Sequence, residues 1–438
     1  MNSKNLKASY YTLGCKLNFS ETSAIGRALA ERGVVRAARG DSPDIIVINT
    51  CSVTETADKK GRQLIRRLSA RYPAATVVVT GCYAQLKPEE IAEIDGVDMV
   101  LGTNEKLKTA EYIDRWMSDR QSMVAVTDFR RIDTFMPTCE RGDRTRYFLK
   151  VQDGCDCFCT YCTIPFARGR SRSGSIEQLT AMTRQAAAEG AKEIVITGVN
   201  IGNFGKGTDE TFFDLIRSLD GIQGIERYRI SSIEPDLLTE DIIRWVARES
   251  RAFMPHFHIP LQAGSDNVLR KMNRRYDTAL FADRIRLIRE MIPDAFIGVD
   301  VIAGATGETE EEWEKGLSFI ESLPVTRLHV FPYSQRPGTA ALKLENPVSQ
   351  AEKHRRVGIL TSLSDRKFEE FYNSHIGKEA EVLWEHPARG GSRMHGFTRN
   401  YIRVSAPLRP ELVNTMSRVR LLDFDPEDED TLRCEILS

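Results

Sequence analysis

Short apolar runs alternate with amphipathic stretches through the middle of the chain. Between the runs lie helix-like segments such as SIEQLTAMTRQAAAEG. This alternation predicts a parallel sheet with helical crossovers. Six units fall short of the eight in a closed barrel, so we expect a partial (β/α)6 barrel. The six strand-like runs are YFLKVQ (147–152), EIVITG (193–198), ERYRISS (226–232), HFHIPL (256–261), FIGVDVI (296–302) and RLHVFPYS (327–334).

A second α/β unit is predicted ahead of residue 117. Three strand-like runs each end at a cysteine: SYYTLGC at Cys15, DIIVINTC at Cys51 and TVVVTGC at Cys82. A helical segment follows each run, which predicts a doubly wound parallel sheet whose strand ends converge on one crevice. Free cysteines are often only small buried apolar residues. The same position in three βα units nevertheless favours a shared three-cysteine site.

The end of the chain has a different pattern. After a helical stretch (350–372) come five short runs separated by Gly and Pro: EAEVLWE, RMHGFTRN, YIRVSAP, SRVRLLDF and TLRCEIL. Such spacing predicts a small β-barrel. We therefore expect an α/β protein with an N-terminal domain (1–116), a linker (117–140), a barrel core (141–371) and a C-terminal β-barrel (372–438).

Composition and charge limit the possible binding partners and the cellular compartment. The 438 residues are 41% hydrophobic and carry 61 basic and 62 acidic residues, so any nucleic acid must be bound by a local basic patch. The first ten residues lack a signal region, and no apolar run reaches the ~18 residues of a membrane span. We expect a cytoplasmic monomer without membrane contact. Nine cysteines in a reducing compartment favour metal ligation or catalysis over disulfides.

Four of these cysteines lie in the stretch GCDCFCTYC (154–162). Cys155, Cys159 and Cys162 have the spacing C-x3-C-x2-C on the loop after the first barrel strand, and Cys157 is additional. Three thiolates on one wrapping loop suit an iron–sulfur cubane with one open iron. A tetrahedral zinc site using all four is the alternative, but zinc sites usually take two separated ligand pairs. Neither Cys139 nor Cys434 has a comparable setting.

The cysteine loop, with Tyr161 before its last cysteine, resembles the signature of radical S-adenosylmethionine (SAM) enzymes. Together with TLGCKLN, NTCSVT and VVTGCYAQ, it resembles the radical SAM methylthiotransferase family over nearly the whole chain. TLGCKLN and ITGVNIGNFG resemble the branch that acts on N6-threonylcarbamoyladenosine in tRNA. Sister branches act on isopentenylated adenosine in tRNA or on an aspartate of a ribosomal protein. Cys157 departs from the commonest form of the loop.

The resemblance implies two [4Fe-4S] clusters, one on each cysteine set, and two roles for SAM. One SAM supplies a methyl group to a sulfur at the open iron of the N-terminal cluster. The other, at the barrel cluster, gives the 5′-deoxyadenosyl radical that removes hydrogen from C2 of the adenine, which then takes the methylthio group. The N-terminal crevice must then face the barrel mouth. The tRNA anticodon loop is the implied substrate, while the electron donor and the sulfur source remain unidentified partners.

The resemblance also implies which residues contact SAM at the strand ends. Glu234 and Gln262 could instead be solvated loop residues. His256 and His258 share a strand face and could bind a metal, although ordinary barrel histidines are the favoured interpretation. The implied SAM contacts are Tyr161, Gly198, Asn200, Ser232, Glu234, Gln262, Ile302, Gly304, Phe331 and Tyr333.

The C-terminal barrel resembles the TRAM domain of RNA-modifying proteins. Although this region is not basic as a whole, arginines near aromatic residues can grip phosphates and stack on bases. The acidic run DFDPEDED (423–430) is predicted to be a solvated hairpin tip. Scattered surface arginines are one alternative interpretation, and a zinc-dependent RNA-binding protein without redox chemistry is another. The predicted RNA contacts are Arg168, Arg170 and Arg172 near the cluster loop, and Arg389, Arg393, Arg399 and Arg403 with Phe397 and Tyr401 in the barrel.

Overall fold

A six-stranded parallel sheet forms the N-terminal part of the structure, which is a computed structural model describing residues 6–38, 40–140, 145–387 and 391–437. The strands are β1 (Lys7–Thr12), β2 (Val35–Arg36), β3 (Ile45–Thr50), β4 (Thr76–Gly81), β5 (Met99–Leu101) and β6 (Met123–Ala125). Their order is β2-β1-β3-β4-β5-β6. The winding direction therefore reverses between β1 and β3, where doubly wound folds bind their ligands.

Helices cover both faces of this sheet. Alternate residues of β3 pack against different helices, with Ile46 beside Leu64 and Val47 beside Ile25. Burial on both faces explains why the sequences of β3 and β4 are nearly continuous apolar runs. The helices are α1 (Lys16–Glu31), α2 (Glu55–Arg71), α3 (Cys82–Leu86), α4 (Pro88–Ala92) and α5 (Thr109–Asp119).

The middle of the chain forms an open barrel. Its strands are β7 (Thr138–Glu140), β8 (Tyr147–Lys150), β9 (Gln152–Asp153), β10 (Arg172–Ser173), β11 (Glu193–Thr197), β12 (Arg227–Ile230), β13 (His256–Gln262), β14 (Phe296–Ala303) and β15 (Arg327–Pro332). The six predicted parallel strands are confirmed as β8, β11, β12, β13, β14 and β15. Isolated bridges, including Ser232 to His258, join β12 to β13 and make the sheet continuous.

Amphipathic helices cover the outside of this barrel, where residues such as Ile194 and Ile259 meet Leu215 and Ile285 in the largest apolar core. The helices are α6 (Ile164–Arg168), α7 (Ile176–Ala188), α8 (Phe212–Asp220), α9 (Glu240–Arg248), α10 (Asp266–Lys271), α11 (Thr278–Met291) and α12 (Glu310–Ser322). Most begin at a side-chain cap; at α8, Thr211 and Asp214 form a reciprocal capping box.

The segment expected to be a linker, 117–140, contributes to both sheets. β6 extends the first sheet by pairing with β5, and β7 pairs antiparallel with β8 at the edge of the barrel. The two α/β units are therefore joined through strands rather than through a free connector.

The last part of the chain is a closed five-stranded barrel in the order β16-β17-β18-β20-β19, as the sequence predicted. The preceding helix α13 (Gln350–Asn373) adds Phe368 and Tyr372 to its core, which is centred on the fully buried Trp384. No helix in the described ranges is long and apolar enough to span a membrane. The strands are β16 (Glu379–Trp384), β17 (Arg393–Thr398), β18 (Arg403–Pro407), β19 (Met416–Asp425) and β20 (Asp428–Ile436).

This small barrel packs against the amino ends of the core strands. Arg227 and Arg229, at the start of β12, donate to the backbone carbonyls of Phe397 and Thr398 at 2.7 and 2.8 Å. Tyr401 packs against His256 and Phe296, which begin β13 and β14. The small barrel therefore lies at the opposite end of the core strands from the predicted active site.

Candidate functional site

The three N-terminal cysteines lie together at the carboxyl edge of the first sheet. Cys15 follows β1, and Cys51 and Cys82 come directly after β3 and β4, which are neighbouring strands. Cys15 is exposed, Cys51 is half-buried and Cys82 is buried. This placement is the one that the strand-end argument predicted.

Two glycines in left-handed conformations bring these loops into contact. A Cβ at Gly14 (φ +103°) would lie 3.1 Å from the Sγ of Cys51, and one at Gly81 (φ +98°) would lie 2.3 Å from the carbonyl oxygen of Thr50. Burial first, and then the neighbouring thiols of Cys82 and Cys15, raise the pKa of Cys51 to about 11. Burial also raises the pKa of Cys82. Three thiols at one sheet edge suit a metal centre, because bound iron stabilises thiolates.

The second cysteine set wraps one loop of the barrel. The amide of Ile164 donates to the Sγ of Cys162 at 3.4 Å, and Arg274 donates to the Sγ of Cys159 at 3.0 Å. The thiol of Cys157 hydrogen-bonds to Cys155, which lowers the pKa of Cys155 and raises that of Cys157. Burial raises the pKa of Cys159 and Cys162 as well, so the spacing, rather than these pKa directions, selects Cys155, Cys159 and Cys162 as the predicted ligands.

The spacing of the sulfurs argues against a single zinc ion. Zinc binds each cysteine sulfur at about 2.3 Å, so its ligands must crowd together. Across the described residues, no three cysteine sulfurs lie within 4.8 Å of one another; the only three potential ligand atoms that do belong to His258, Asp300 and His329. A cubane on each three-cysteine set stays a prediction.

A small cavity lies beside this loop, and its lining includes Asn200, Glu234, Cys157 and Cys159. The side-chain nitrogen of Asn200 donates to the Sγ of Cys157 at 3.5 Å, while its buried Oδ1 has no partner among the described residues. Glu234 pairs with Arg274, and burial raises the pKa of Glu234 to about 7. Arg274 escaped the sequence analysis because the stretch MNRRY belongs to no ligand motif.

Five of the other predicted SAM contacts lie at the strand ends or beside the cysteine loop. Gly198 and Ser232 line an open cavity at the strand ends. Tyr161 and Ile302 pack on an apolar cluster beside the cysteine loop, and Gln262 ends β13 with φ +68°. Their contact with SAM stays a prediction.

The last three predicted contacts lie near α13. Gly304 has φ +74°, but a Cβ there would lie 2.5 Å from Lys353, so the close neighbour that requires glycine is this helix. Tyr333 is buried with the Lys353 ammonium over its ring, whereas Phe331 is 48% exposed. The close neighbour in the Cβ direction of Gly304 is thus a side chain of the protein itself, and contact of these three residues with SAM stays a prediction.

The open cavity joins the two α/β units. It has a volume of about 480 Å³. One wall comes from the loop carrying Gly14, Cys15 and Lys16, and the other comes from Gly198, Ser232 and His258 at the barrel strands. The N-terminal cysteine crevice therefore faces the mouth of the barrel.

A buried ionic network fixes this arrangement. Glu21 on α1 lies 2.7 Å from Lys106, 2.8 Å from Lys150 and 3.0 Å from Arg168, and all four side chains are at most 2% exposed. Burial alone would raise the pKa of Glu21, but the three cations hold it far below its usual value. Because Lys150 and Arg168 belong to the barrel, the network attaches the first unit to the second.

A second buried contact also joins the two α/β units. Arg336, after β15, donates to Asp58 at 2.6 Å and to Ser52 at 2.8 Å, directly beside Cys51. The sequence analysis missed Arg336 because nothing in RPGT indicates a partner almost 280 residues away.

The predicted RNA role of Arg168 is wrong in its simple form. Its side chain is buried and bonded to Glu21, Asp153 and Asn18. Arg172 is also tied down, to backbone carbonyls including that of Thr134. Of the three arginines only Arg170 is exposed, with its side chain 71% accessible.

The predicted RNA face of the small barrel is also corrected. Phe397 and Tyr401 stack on each other at the junction with the core rather than facing solvent. Arg393 pairs with Asp425 at 3.0 Å, and Arg403 pairs with Asp428. The acidic run is thus the partner of these arginines and not merely a solvated tip. Arg399 is exposed, and Arg389 lies outside the described residues.

The two histidines of β13, His256 and His258, have separate environments. His256 is buried against Tyr401 and Phe296, and burial lowers its pKa well below the usual value. His258 instead pairs with Asp300 at 2.7 Å. The favoured interpretation of ordinary barrel histidines fits His256, whereas His258 lines the cavity.

Comparison with known proteins agrees with this geometry. The model of "Uncharacterized protein family UPF0004" matches residues 7–102, and that of the radical SAM superfamily matches residues 149–320. A solved structure of the radical SAM methyltransferase TsrM from Kitasatospora setae, with cobalamin and a [4Fe-4S] cluster bound, has a TM-score of 0.58 at 15% identity. The match covers 78% of this chain and 77% of that one, and it supports the fold.

Curated relatives match over almost the full length. Threonylcarbamoyladenosine tRNA methylthiotransferase MtaB of Bacillus subtilis is 38% identical over 94% of this chain and 93% of its own. The tRNA-2-methylthio-N(6)-dimethylallyladenosine synthase of Acetivibrio thermocellus is 32% identical over 94% of this chain and 87% of its own. The chain therefore belongs to the radical SAM methylthiotransferase family.

Proposed function

We propose that this enzyme methylthiolates C2 of N6-threonylcarbamoyladenosine next to the anticodon of tRNA, giving 2-methylthio-N6-threonylcarbamoyladenosine. The carrying observation is the cavity that Cys15 shares with the barrel strand ends. A sulfur-delivering centre and a radical-generating centre must both reach one carbon, and in this proposal the substrate base enters the cavity beside Cys15. The greater similarity to the MtaB relative than to the dimethylallyladenosine synthase supports the choice of substrate.

In this proposal each cysteine set holds one [4Fe-4S] cluster, Cys15, Cys51 and Cys82 for sulfur and Cys155, Cys159 and Cys162 for radical chemistry. Bound clusters and SAM supply the methylthio group and the group that accepts the C2 hydrogen, with a one-electron donor and a sulfur source as partners. The protein positions these groups. The Glu21 network and Arg336 hold the two α/β units at a fixed separation.

Alternative substrates are weighed by the same cavity. Its lining is mixed, with Thr197, Ser231, Ser232 and His258 on the barrel side and the apolar Leu17 and Phe19 on the N-terminal side. The hydroxyl groups and the imidazole on the barrel side can hydrogen-bond to a threonylcarbamoyl group, which supports that substrate. The alternative of a ribosomal-protein aspartate predicts no change in tRNA. Membership of a radical SAM enzyme family overturns the zinc-dependent RNA-binding protein without redox chemistry.

Nucleoside analysis tests this proposal directly. We expect tRNA from cells lacking the protein to accumulate N6-threonylcarbamoyladenosine, and tRNA from overproducing cells to carry its 2-methylthio derivative. Mass spectrometry of digested tRNA measures both. If the threonylcarbamoyl nucleoside is unchanged and the isopentenyl nucleoside changes, the substrate is isopentenylated adenosine instead.

RNA binding by the small barrel gives a second expectation. Arg399→Ala should weaken binding of full-length tRNA, reducing the slope of log K against log salt by about 1, because one phosphate contact is lost. Arg403→Ala is the matched control, since its charge is already paired with Asp428. Equal salt slopes for the wild type and Arg399→Ala would show that Arg399 does not contact RNA. Binding titrations at several salt concentrations give the slopes.

A further inference from the structure

A short segment between α10 and α11 packs against the cysteine loop of the barrel. The carbonyl of Met272 accepts a hydrogen bond from the amide of Thr160 at 3.1 Å. The side chain of Asn273, which has φ +59°, donates to the carbonyls of Cys157 and Phe158 at 3.1 and 3.3 Å. These bonds fix the backbone of the cysteine loop from outside. The segment therefore forms a second layer around the candidate cluster ligands.

Arg274 in this segment uses each nitrogen of its guanidinium for a different partner. Its Nε donates to the hydroxyl of Tyr276 at 3.0 Å, and one terminal nitrogen donates to the Sγ of Cys159 at 3.0 Å. The other terminal nitrogen pairs with Glu234. Tyr276 is held in turn, because its hydroxyl donates to the carbonyl of Pro260 at 2.6 Å. The guanidinium is thus fixed in one orientation, with a donor directed at the sulfur.

The charge on Arg274 distinguishes this contact from the hydrogen bond that Cys162 receives. The donor to Cys162 is a neutral group, the amide of Ile164. Arginine remains protonated in proteins, and the Arg274 side chain is only 4% exposed. Water therefore screens its charge little, and a charge-assisted hydrogen bond is roughly twice as strong as a neutral one. Of these two ligand sulfurs, that of Cys159 accordingly receives the stronger bond.

We propose that Arg274 acts through Cys159 to raise the reduction potential of the radical-generating centre. The inference rests on the proposed function, in which Cys159 is a cluster ligand, and deepens it by naming a residue that controls electron entry. Reduction by the one-electron donor adds one negative charge and breaks no bond. A fixed cation at a ligand sulfur stabilises that added charge, since hydrogen bonds to the sulfurs help to set the potential of an iron–sulfur cluster. Tyr276 and Glu234 hold the cation in place.

A redox titration of reconstituted holoenzyme, followed by electron paramagnetic resonance (EPR) without SAM, tests this inference. The barrel cluster is the one whose signal changes when SAM is added afterwards. We expect Arg274→Met to lower the ratio of reduced to oxidised barrel cluster roughly tenfold or more at a given potential, which for one electron is a fall of about 59 mV. Arg274→Lys, which keeps a cation beside Glu234, should retain most of the wild-type potential.

The neighbouring arginine provides the matched control. Arg275 is exposed and donates to the backbone carbonyl of Asp156 at 3.1 Å. Arg275→Met removes the same charge one residue away, and we expect its potential to stay close to that of the wild type, because water and salt screen an exposed charge. Each midpoint is read from the clusters that are present, so lower iron content in a variant does not shift it. If Arg274→Met assembles no barrel cluster, Arg274→Gln, which keeps a neutral donor, takes its place, and its potential should also lie below the wild-type value.

Three results would overturn the inference. An Arg274→Met or Arg274→Gln enzyme with the wild-type potential would show that Arg274 does not influence the cluster. Equal falls in Arg274→Met and Arg275→Met would show a general effect of net charge instead. A wild type whose EPR signals do not respond to SAM would refute the assignment of the loop cysteines to the radical-generating cluster, and with it the proposed function. Since the titration uses no tRNA, an error in the proposed substrate leaves its result unaffected.

Discussion

Replacing Cys51 with alanine is expected to abolish methylthiolation while leaving SAM cleavage intact, and replacing Cys159 is expected to abolish both. The difference follows from position. Cys51 lies in the N-terminal crevice beside Gly14, whereas Cys159 lies on the barrel loop beside Arg274. If each set holds a separate cubane, only the loss of the barrel cluster removes radical chemistry.

Two measurements are needed, 5′-deoxyadenosine formation and methylthionucleoside formation, together with iron content after anaerobic reconstitution. The wild type should carry about eight irons and each variant about four, because a cubane contains four. Cys434→Ser, in the small barrel, is the matched control. Methylthiolation that survives in the Cys51 variant, or about four irons in the wild type, would contradict the two-cluster arrangement.

Glu21→Gln is expected to lower the free energy of unfolding by about 3–5 kcal/mol, the usual loss when one partner of a buried ion pair is removed. The substitution leaves Lys106, Lys150 and Arg168 with Asp153 as their remaining buried carboxylate. Because the folded pKa of Glu21 lies below its unfolded value of 4.5, the stabilisation is present at neutral pH and is lost as pH falls below that value.

Anaerobic thermal unfolding of the variant should show a Tm lower by roughly 5–10 °C. Glu31→Gln, on an exposed residue of the same helix, controls for the change of side chain. A Glu21 variant as stable as the control would mean that the network is not what holds the two α/β units together.

Much of the fold and half of the site follow from periodicity. Alternating apolar runs and helices located all six barrel strands, because parallel strands buried on both faces are locally recognisable. The convergence of Cys15, Cys51 and Cys82 also followed, since a cysteine placed directly after a parallel strand must lie at one edge of the sheet. These conclusions need no knowledge of distant partners.

The residues that were misjudged all depend on such partners. Arg168 looked like an RNA contact because its run of arginines is basic, but Glu21, 147 residues earlier, takes up its charge. Phe397 and Tyr401 lie near arginines in the sequence, as RNA-binding aromatic residues do, yet the core barrel packs against them. A sequence pattern indicates on which face of a strand a residue lies, but it does not indicate what packs against that face.

The attachment of the small barrel to the amino ends of the core strands has a consequence for substrate size. Core strands of four to eight residues rise about 3.3 Å per residue, so the small barrel and the reaction centre are separated by roughly 20 Å. A nucleic acid touching both must reach around the flank of the molecule. The reaction of a minimal anticodon hairpin would then be unaffected by substitutions such as Arg399→Ala. Only the reaction of intact tRNA would be weakened by them.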